Sequence, residues 1–272
     1  MVALATDLNL LKKSLRRLRG DPDTDVDASI VIPVNAAKDL DNVLRLLSDL
    51  GNYAGEHQVE LILVVNNYAA EQPPNEIEKY RQLGLTVISI PRVEHKGGVA
   101  LAARIPGIQR AQSQSVLLFD ADCRIPNADA LLDWYIAEFE NGCDLAYTHV
   151  EYTDLQPGIS IKVRMLIHHG SRWFRRTILG IPTSRGSNYA IRKDLILQLF
   201  SEGRVTYDIH IGPAVKKSHG KIVYSGAREL TVYTSGRFFA QGWKVLISYL
   251  IWRTGYYFRE FKLKSKSAVM HQ

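Results

Sequence analysis

Four short apolar runs, Ser29 to Val34, Val59 to Val65, Leu85 to Ile90 and Ser115 to Phe119, restrict what this chain can fold into more than any other feature. They are rich in Val, Ile and Leu and nearly unbroken. A strand wetted on one face alternates apolar and polar residues, whereas an unbroken run suits a strand buried on both faces, as in a parallel sheet covered by helices. Between the runs, Leu40 to Leu50, Asn75 to Leu83 and Gly98 to Ala111 read as helices, with Pro106 expected to kink the last or to mark a restart. The alternation predicts an α/β fold: a mostly parallel open sheet flanked by helices.

The second half is less regular. A helix is expected from Asn127 to Glu140, a strand near Leu145 to Val150, a glycine-bounded loop from Gly180 to Gly186, and a helix beyond Tyr207. At the N-terminus Leu4, Leu8, Leu11, Leu15 and Leu18 form one stripe of an amphipathic helix whose other side is basic. That stripe could dock on its own domain, on a second subunit or on a membrane surface. An acidic linker, Asp21 to Asp27, follows. A final amphipathic segment, about Phe238 to Phe261, interleaves Trp243, Trp252, Tyr256, Tyr257, Phe258 and Phe261 with Lys and Arg. It could pack over an acceptor site, form a homodimer contact or lie on an anionic membrane surface. The expected organisation is 1–27 helix and linker, 28–236 main domain, and 237–272 aromatic and basic helical segment.

With 46% of its 272 residues apolar, the chain can build a sizeable core. Its net charge of +6 suits a phosphate-bearing partner but does not choose between lipid, nucleic acid and nucleotide. No nucleic-acid module is recognisable, so no nucleic-acid partner is expected. Two cysteines, Cys123 and Cys143, are too few for a disulfide framework and favour a reducing compartment. No secretion signal is legible, and no apolar stretch approaches the roughly 20 residues that cross a bilayer. A cytoplasmic protein, at most peripheral to the membrane, is expected.

Asp-x-Asp occurs five times, and the pattern alone says nothing. Only Asp120-Ala121-Asp122 follows a buried strand, Val116 to Phe119, which puts it where open α/β sheets bind ligands, beyond the carboxyl ends of the strands. Residues two apart in extended backbone point the same way, so both carboxylates can face one ligand. Such a pair can hold a hard cation against phosphate oxygens. Asp122 is the choice for the metal and Asp120 for a ribose or a metal-bound water, so both are counted as metal-site residues.

The neighbours of this pair, in order, resemble the inverting family-2 glycosyltransferases. Ser29 to Asn35 resembles that family's first strand and Leu61 to Asn67 its second. Gly97-Gly98 through Ile108 resembles its glycine followed by Ala-Arg-Asn-x-Gly, with Arg104 in the arginine position. Gly186 to Arg192 resembles its Gly-x-Asn-x-Ala-x-Arg segment, and Tyr207-Asp208 with the strand near Ile222 its Glu-Asp catalytic helix and following strand. The resemblance covers roughly Ser29 to Val232. Departures are Asn66 and Asn67 for the commoner acidic pair, Ile105 for Asn, one extra residue before Arg104, and Tyr207 for Glu.

The resemblance implies a GT-A fold and a transferase that moves a sugar from a nucleotide-diphospho-sugar to an acceptor hydroxyl with inversion, aided by Mn2+ or Mg2+. It implies donor contacts at Pro33, Val34, Asn35, Asn66, Asn67, Lys96, Gly98, Arg104, Asp120, Ala121 and Asp122. Arg185, Gly186, Ser187 and Asn188 would border the acceptor, which could be a glycan, a lipid or a small molecule. Asp208 is the expected catalytic base, with a helix cap as its alternative use. His210 and His219 lie near the expected site without metal-ligand spacing. A non-catalytic nucleotide-binding or scaffold protein on the same fold is the rival reading.

Overall fold

Strand geometry sends successive side chains to opposite faces, so a continuous apolar run serves two cores at once. The computed structural model describes residues 8–18, 25–68, 75, 77–91, 99–156, 158–253 and 255. In β1 (Ala28–Asn35), Ile30, Ile32 and Val34 join one hydrophobic cluster and Val31 the other. β2 (Val59–Asn66) divides Leu61, Leu63 and Val65 from Ile62 and Val64 in the same way. After the short β3 (Thr86–Ser89), β4 (Ser115–Phe119) divides Leu117 and Phe119 from Val116 and Leu118.

Helices cover both faces. α1 (Leu8–Ser14) and the 3-10 turn Leu15–Leu18 bury Leu11, Leu15 and Leu18 in the first cluster, so this part of the stripe docks on its own domain, while Leu8 is exposed and Leu4 lies outside the described residues. α2 (Leu40–Leu50), α3 (Ile77–Gln82) and α4 (Val99–Arg110) fall where periodicity puts them. α4 runs through Pro106 without a restart. It lies so close to the sheet at Gly107 that a Cβ there would come 2.5 Å from Val31 Cγ1 and 2.7 Å from Val64 Cγ2. α5 (Ala128–Glu140) starts at Asn127, whose side chain accepts from the Ala130 N–H at 3.1 Å.

The strand expected from Leu145 to Val150 is two strands in different sheets, β5 (Leu145–Thr148) and β6 (Val150–Thr153). The sequence reading also did not anticipate α6 (Ile159–Thr177), β7 as a central strand (Asn188–Arg192) or α7 (Lys193–Ser201). α8 (Asp208–Lys217), β8 (Ile222–Ser225), β9 (Val232–Ser235), α9 (Arg237–Ala240) and a helical stretch over 243–253 complete the described chain.

The main sheet has seven strands in the order β3-β2-β1-β4-β7-β5-β8, and β6 pairs with β9. β7 runs antiparallel to β4 and β5, and every other neighbouring pair in the main sheet is parallel. From β1 the chain moves out one way to β2 and β3, then α4 returns it to β4 on the other side of β1. The direction reverses at β1 and β4, and the carboxyl ends of strands at such a reversal are where open α/β sheets bind ligands. The β1–β4 ladder stops at Val31–Leu118, and Pro33 has no N–H with which to extend it.

Contacts divide the chain into two compact units, Met1–Glu151 with Arg175–Thr234 and Tyr152–Phe174 with Ser235–Gln272. The first holds the seven-stranded sheet and every candidate site residue described below. The second holds most of α6, α9 and the helical stretch over 243–253.

Candidate active site

Parallel register sets the ends of three strands side by side. Asn35 ends β1 opposite Asn66, the last residue of β2, and Asp120 follows the last residue of β4. Asn35 Oδ1 accepts from the Asn67 side-chain amide at 3.2 Å and from the Ala37 N–H at 3.0 Å. Asn67 has a φ of 60°, in the left-handed region that asparagine tolerates better than most residues. Val34 is buried in the core and lies within the β1–β2 ladder, so its side chain does not face a ligand. Lys96 and Gly98 lie outside the described residues.

Directly after β4 the backbone turns, with the Cys123 N–H donating to the Asp120 carbonyl at 3.0 Å. The turn buries Ala121 in the core and leaves Asp120 and Asp122 partly open to solvent. Asp122 Oδ1 accepts from the Thr234 hydroxyl on β9 at 3.0 Å. Asp120 Oδ1 accepts from Arg104 Nη2.

Arg104 organises the site. Its side chain is fully buried, it stands three residues before Gly107 on α4, and the close approach of α4 to the sheet brings it under the end of β4. Nη2 donates to Asp120 and, at 2.8 Å, to the Gly186 carbonyl. Nη1 donates to Asp208 Oδ1 at 2.6 Å, and the Tyr189 hydroxyl donates to the same oxygen at 3.1 Å. One guanidinium thus joins the carboxylate after β4 to the carboxylate at the start of α8. The helix cap position belongs to Tyr207, and Asp208 makes no capping hydrogen bond, so the cap alternative for Asp208 is not how the fold uses it.

The electrostatics are those of a site with surplus negative charge. Burial, opposed by Arg104 and reinforced by Asp122 and Asp208, pushes the Asp120 carboxyl up to about 6. Its side chain still keeps 38% of its surface, so it can be reached from solvent. Burial, with Asp208 beside it, holds the Tyr189 hydroxyl well above its ordinary range, which keeps it a donor. Asp208 Oδ2 takes no hydrogen bond among the described residues and faces Gly186, where a Cβ would lie 2.9 Å from it and 3.2 Å from Arg104 Nη1. A side chain at 186 would therefore have to shift the Asp208 carboxylate from its place beside Arg104.

The loop expected at the acceptor side ends in a tight turn, in which the Asn188 N–H donates to the Arg185 carbonyl at 3.1 Å. Arg185 and Gly186 are partly exposed, and Ser187 and Asn188 are buried. The Asn188 amide is engaged inside the core by Tyr135 and Thr148, and the Ser187 carbonyl accepts from the Cys123 thiol at 3.2 Å. His210 is also buried, with Nδ1 3.2 Å from the Thr206 hydroxyl. Sequence reasoning missed Tyr189 and Thr234, which reach Asp208 and Asp122 from 19 and 112 residues away: Tyr189 stands at an unspecified position of the Gly186 to Arg192 segment, and Thr234 belongs to no motif. A pocket of about 390 Å³ lies at the other end of β4, around Ser115, Phe139 and Arg192, away from these carboxylates.

The profile of the family described as glycosyl transferase family 2 matches residues 29–199. The chain belongs to that family. Among solved structures, this family-2 chain is similar to the mannosyltransferase PcManGT from Pyrobaculum calidifontis, in complex with GDP-Man and Mn2+. The two are 13% identical with a TM-score of 0.52, over 84% of this chain and 63% of that one. It is also similar to TarS of S. aureus, at 16% identity and a TM-score of 0.52 over 76% and 36% of the two chains. For residues 1–349 of TarS in complex with UDP, the values are 18%, 0.50, 76% and 60%. The chain therefore spans less than two thirds of the length of each of these proteins. No curated protein matches it in sequence. At such identities the likeness concerns the fold, and it is the GT-A fold: a mostly parallel sheet flanked by helices.

Proposed function

We propose that this family-2 domain transfers a sugar from a nucleotide-diphospho-sugar to an acceptor hydroxyl, with inversion at the anomeric carbon. The observation that carries the reading is the buried Arg104, which fixes Asp120 at the carboxyl end of β4 and Asp208 at the start of α8 in one hydrogen-bonded unit beside Asp122. A donor and an acceptor held on either side of that unit would meet within reach of both carboxylates. GDP-Man and Mn2+ on the mannosyltransferase, and UDP on TarS, support a nucleotide donor here.

The residues fit a divalent cation. Asp120 and Asp122 offer only hard oxygen ligands, and Asp120, Asp122 and Asp208 together outnumber the one buried guanidinium between them. Asp122 and Asp120 would hold Mn2+ or Mg2+, which supplies positive charge to a departing diphosphate. Asn35, Asn66 and Asn67 can hydrogen-bond a base edge or a ribose as neutral amides.

Asp208 acts as the general base. Arg104 and Tyr189 occupy and orient Oδ1, which leaves Oδ2 to take the acceptor proton. Gly186 keeps the space above Oδ2 clear. The reading is tested by screening nucleotide-sugar donors for metal-dependent hydrolysis and transfer, then repeating the productive reaction with Asp208→Asn. Asparagine still accepts from Arg104 and Tyr189, so the fold is kept and transfer should fall by about 10²–10⁴ with donor binding retained. Near-normal transfer by the variant would remove Asp208 from the mechanism. Metal-dependent nucleotide binding without hydrolysis or transfer of any donor would favour a scaffold.

A further inference from the structure

α6 is built inside out over the part that lies in the second unit. At 100° per residue Ile159, Val163, Leu166, Ile167, Trp173 and Phe174 fall within an arc of roughly 120°. All six are exposed, Ile159 by 84%, Leu166 by 72% and Trp173 by 53%. Arg164, His168 and Arg172 are centred on the opposite side and are buried. A helix on a water-facing surface shows the reverse, with apolar residues inward and charges outward.

The same unit repeats the pattern. Over 243–253, Trp243, Ile247 and Ile251 are spaced four apart and exposed, while Leu246 and Arg253 are buried. The two helices meet through polar and aromatic groups. His168 lies 6.2 Å from Tyr249 and 5.1 Å from Phe239 between ring centroids, its Nε2 is 3.1 Å from the Tyr152 hydroxyl, and Arg164 sits 5.9 Å over the Trp243 ring. The described interior of this unit is cationic and aromatic, and the outward stripes of both helices are aliphatic and aromatic.

Charge identifies the occupant. Residues 152–174 and 235–272 contain ten Lys or Arg and two acidic residues, Asp154 and Glu260, a net charge of +8 against +6 for the whole chain. The protein's entire positive excess is in the unit that exposes the apolar stripes, and α6 contains no acidic residue. A second copy would bring +8 against +8 across a shared patch. An anionic bilayer accepts both features, apolar side chains at the acyl boundary and Lys or Arg at the phosphates. Among the described residues no helix is long and apolar enough to cross a membrane. We propose that α6 and the 243–253 helix form an in-plane docking surface for an anionic lipid bilayer.

The full chain should sediment with phosphatidylcholine vesicles that contain phosphatidylglycerol, and roughly tenfold more weakly with phosphatidylcholine alone. The gain should fade at high salt. Leu166→Ser combined with Trp173→Ser removes apolar area without changing charge. Because both residues are exposed, melting should be unaltered while binding to the anionic vesicles falls about tenfold or more. Metal-dependent nucleotide binding by the variant, which should be unchanged, keeps this test separate from that of the transferase reading. Equal sedimentation of variant and parent, or none by either, would overturn the proposal. So would self-association of the parent without lipid that the variant abolishes, which would make the stripe a dimer contact.

Discussion

At Asp120, folding and the proposed donor binding should respond oppositely to pH. The folded state raises its pKa from 3.8 to about 6, so the native protein holds this proton where the unfolded chain has lost it. The stability this group contributes is complete below about 3.8 and is lost as pH rises through about 6. In the proposed reading, metal and nucleotide need the ionised carboxylate, so their affinity should rise through the same interval. Titrating Mn2+ with a nucleoside diphosphate at about pH 5 and about pH 7 should show clearly weaker binding at the lower value. A flat profile would mean that Asp120 does not touch the metal. Gly186 tests the other carboxylate. Ala at this position would put a methyl group 2.9 Å from Asp208 Oδ2 and must displace it. A shift of a few tenths of an ångström restores ordinary contact, and it should lower transfer by about tenfold with nucleotide binding unchanged. Full activity in Gly186→Ala would show that the position of Asp208 is not critical.

Among the elements, α4 has the most influence on the site because it carries Arg104. In Gly107→Val the new side chain would strike Val31 and Val64, while helix propensity favours Val over Gly by only a few tenths of a kcal/mol. Overpacking dominates, and a loss of roughly 2 kcal/mol is expected from denaturant midpoints, with activity falling as Arg104 moves away from Asp120 and Asp208. Unchanged stability would mean that α4 can shift without cost. The elements also mark what could be read from the sequence. β1, β2 and β4 were legible because a two-faced core needs an unbroken apolar run, and α2 because its apolar spacing has a helical period. α6 has the same period, with Ile159, Val163, Leu166 and Ile167 in one arc, and the sequence reading passed over it; what the period does not give is which face points inward, and here Leu166 and Trp173 are exposed. The place of β7 between β4 and β5 was hidden for a different reason: strand order is a long-range property. The same limit concealed Tyr189 and Thr234, whereas Asp120 and Asp122 were visible because the strand that positions them is adjacent in sequence.

At the scale of the whole molecule, charge and chemistry are divided between two bodies of the chain. The unit with the seven-stranded sheet holds the carboxylates and Arg104, and the other holds the positive excess and the outward apolar stripes. The family-2 match, residues 29–199, covers the strands that build the site and ends within α7, before Asp208. In the proposed reading, Asp120 and Asp122 make this domain a metal-dependent nucleotide binder. Calorimetric titration of the full chain with UDP and with GDP, each with and without Mn2+, and of Asp122→Asn under the same conditions, tests it most directly. At least one nucleotide should bind the parent with Mn2+ and not without it, and Asp122→Asn should lose most of that affinity. Binding of equal strength without metal, or by Asp122→Asn, would contradict the account.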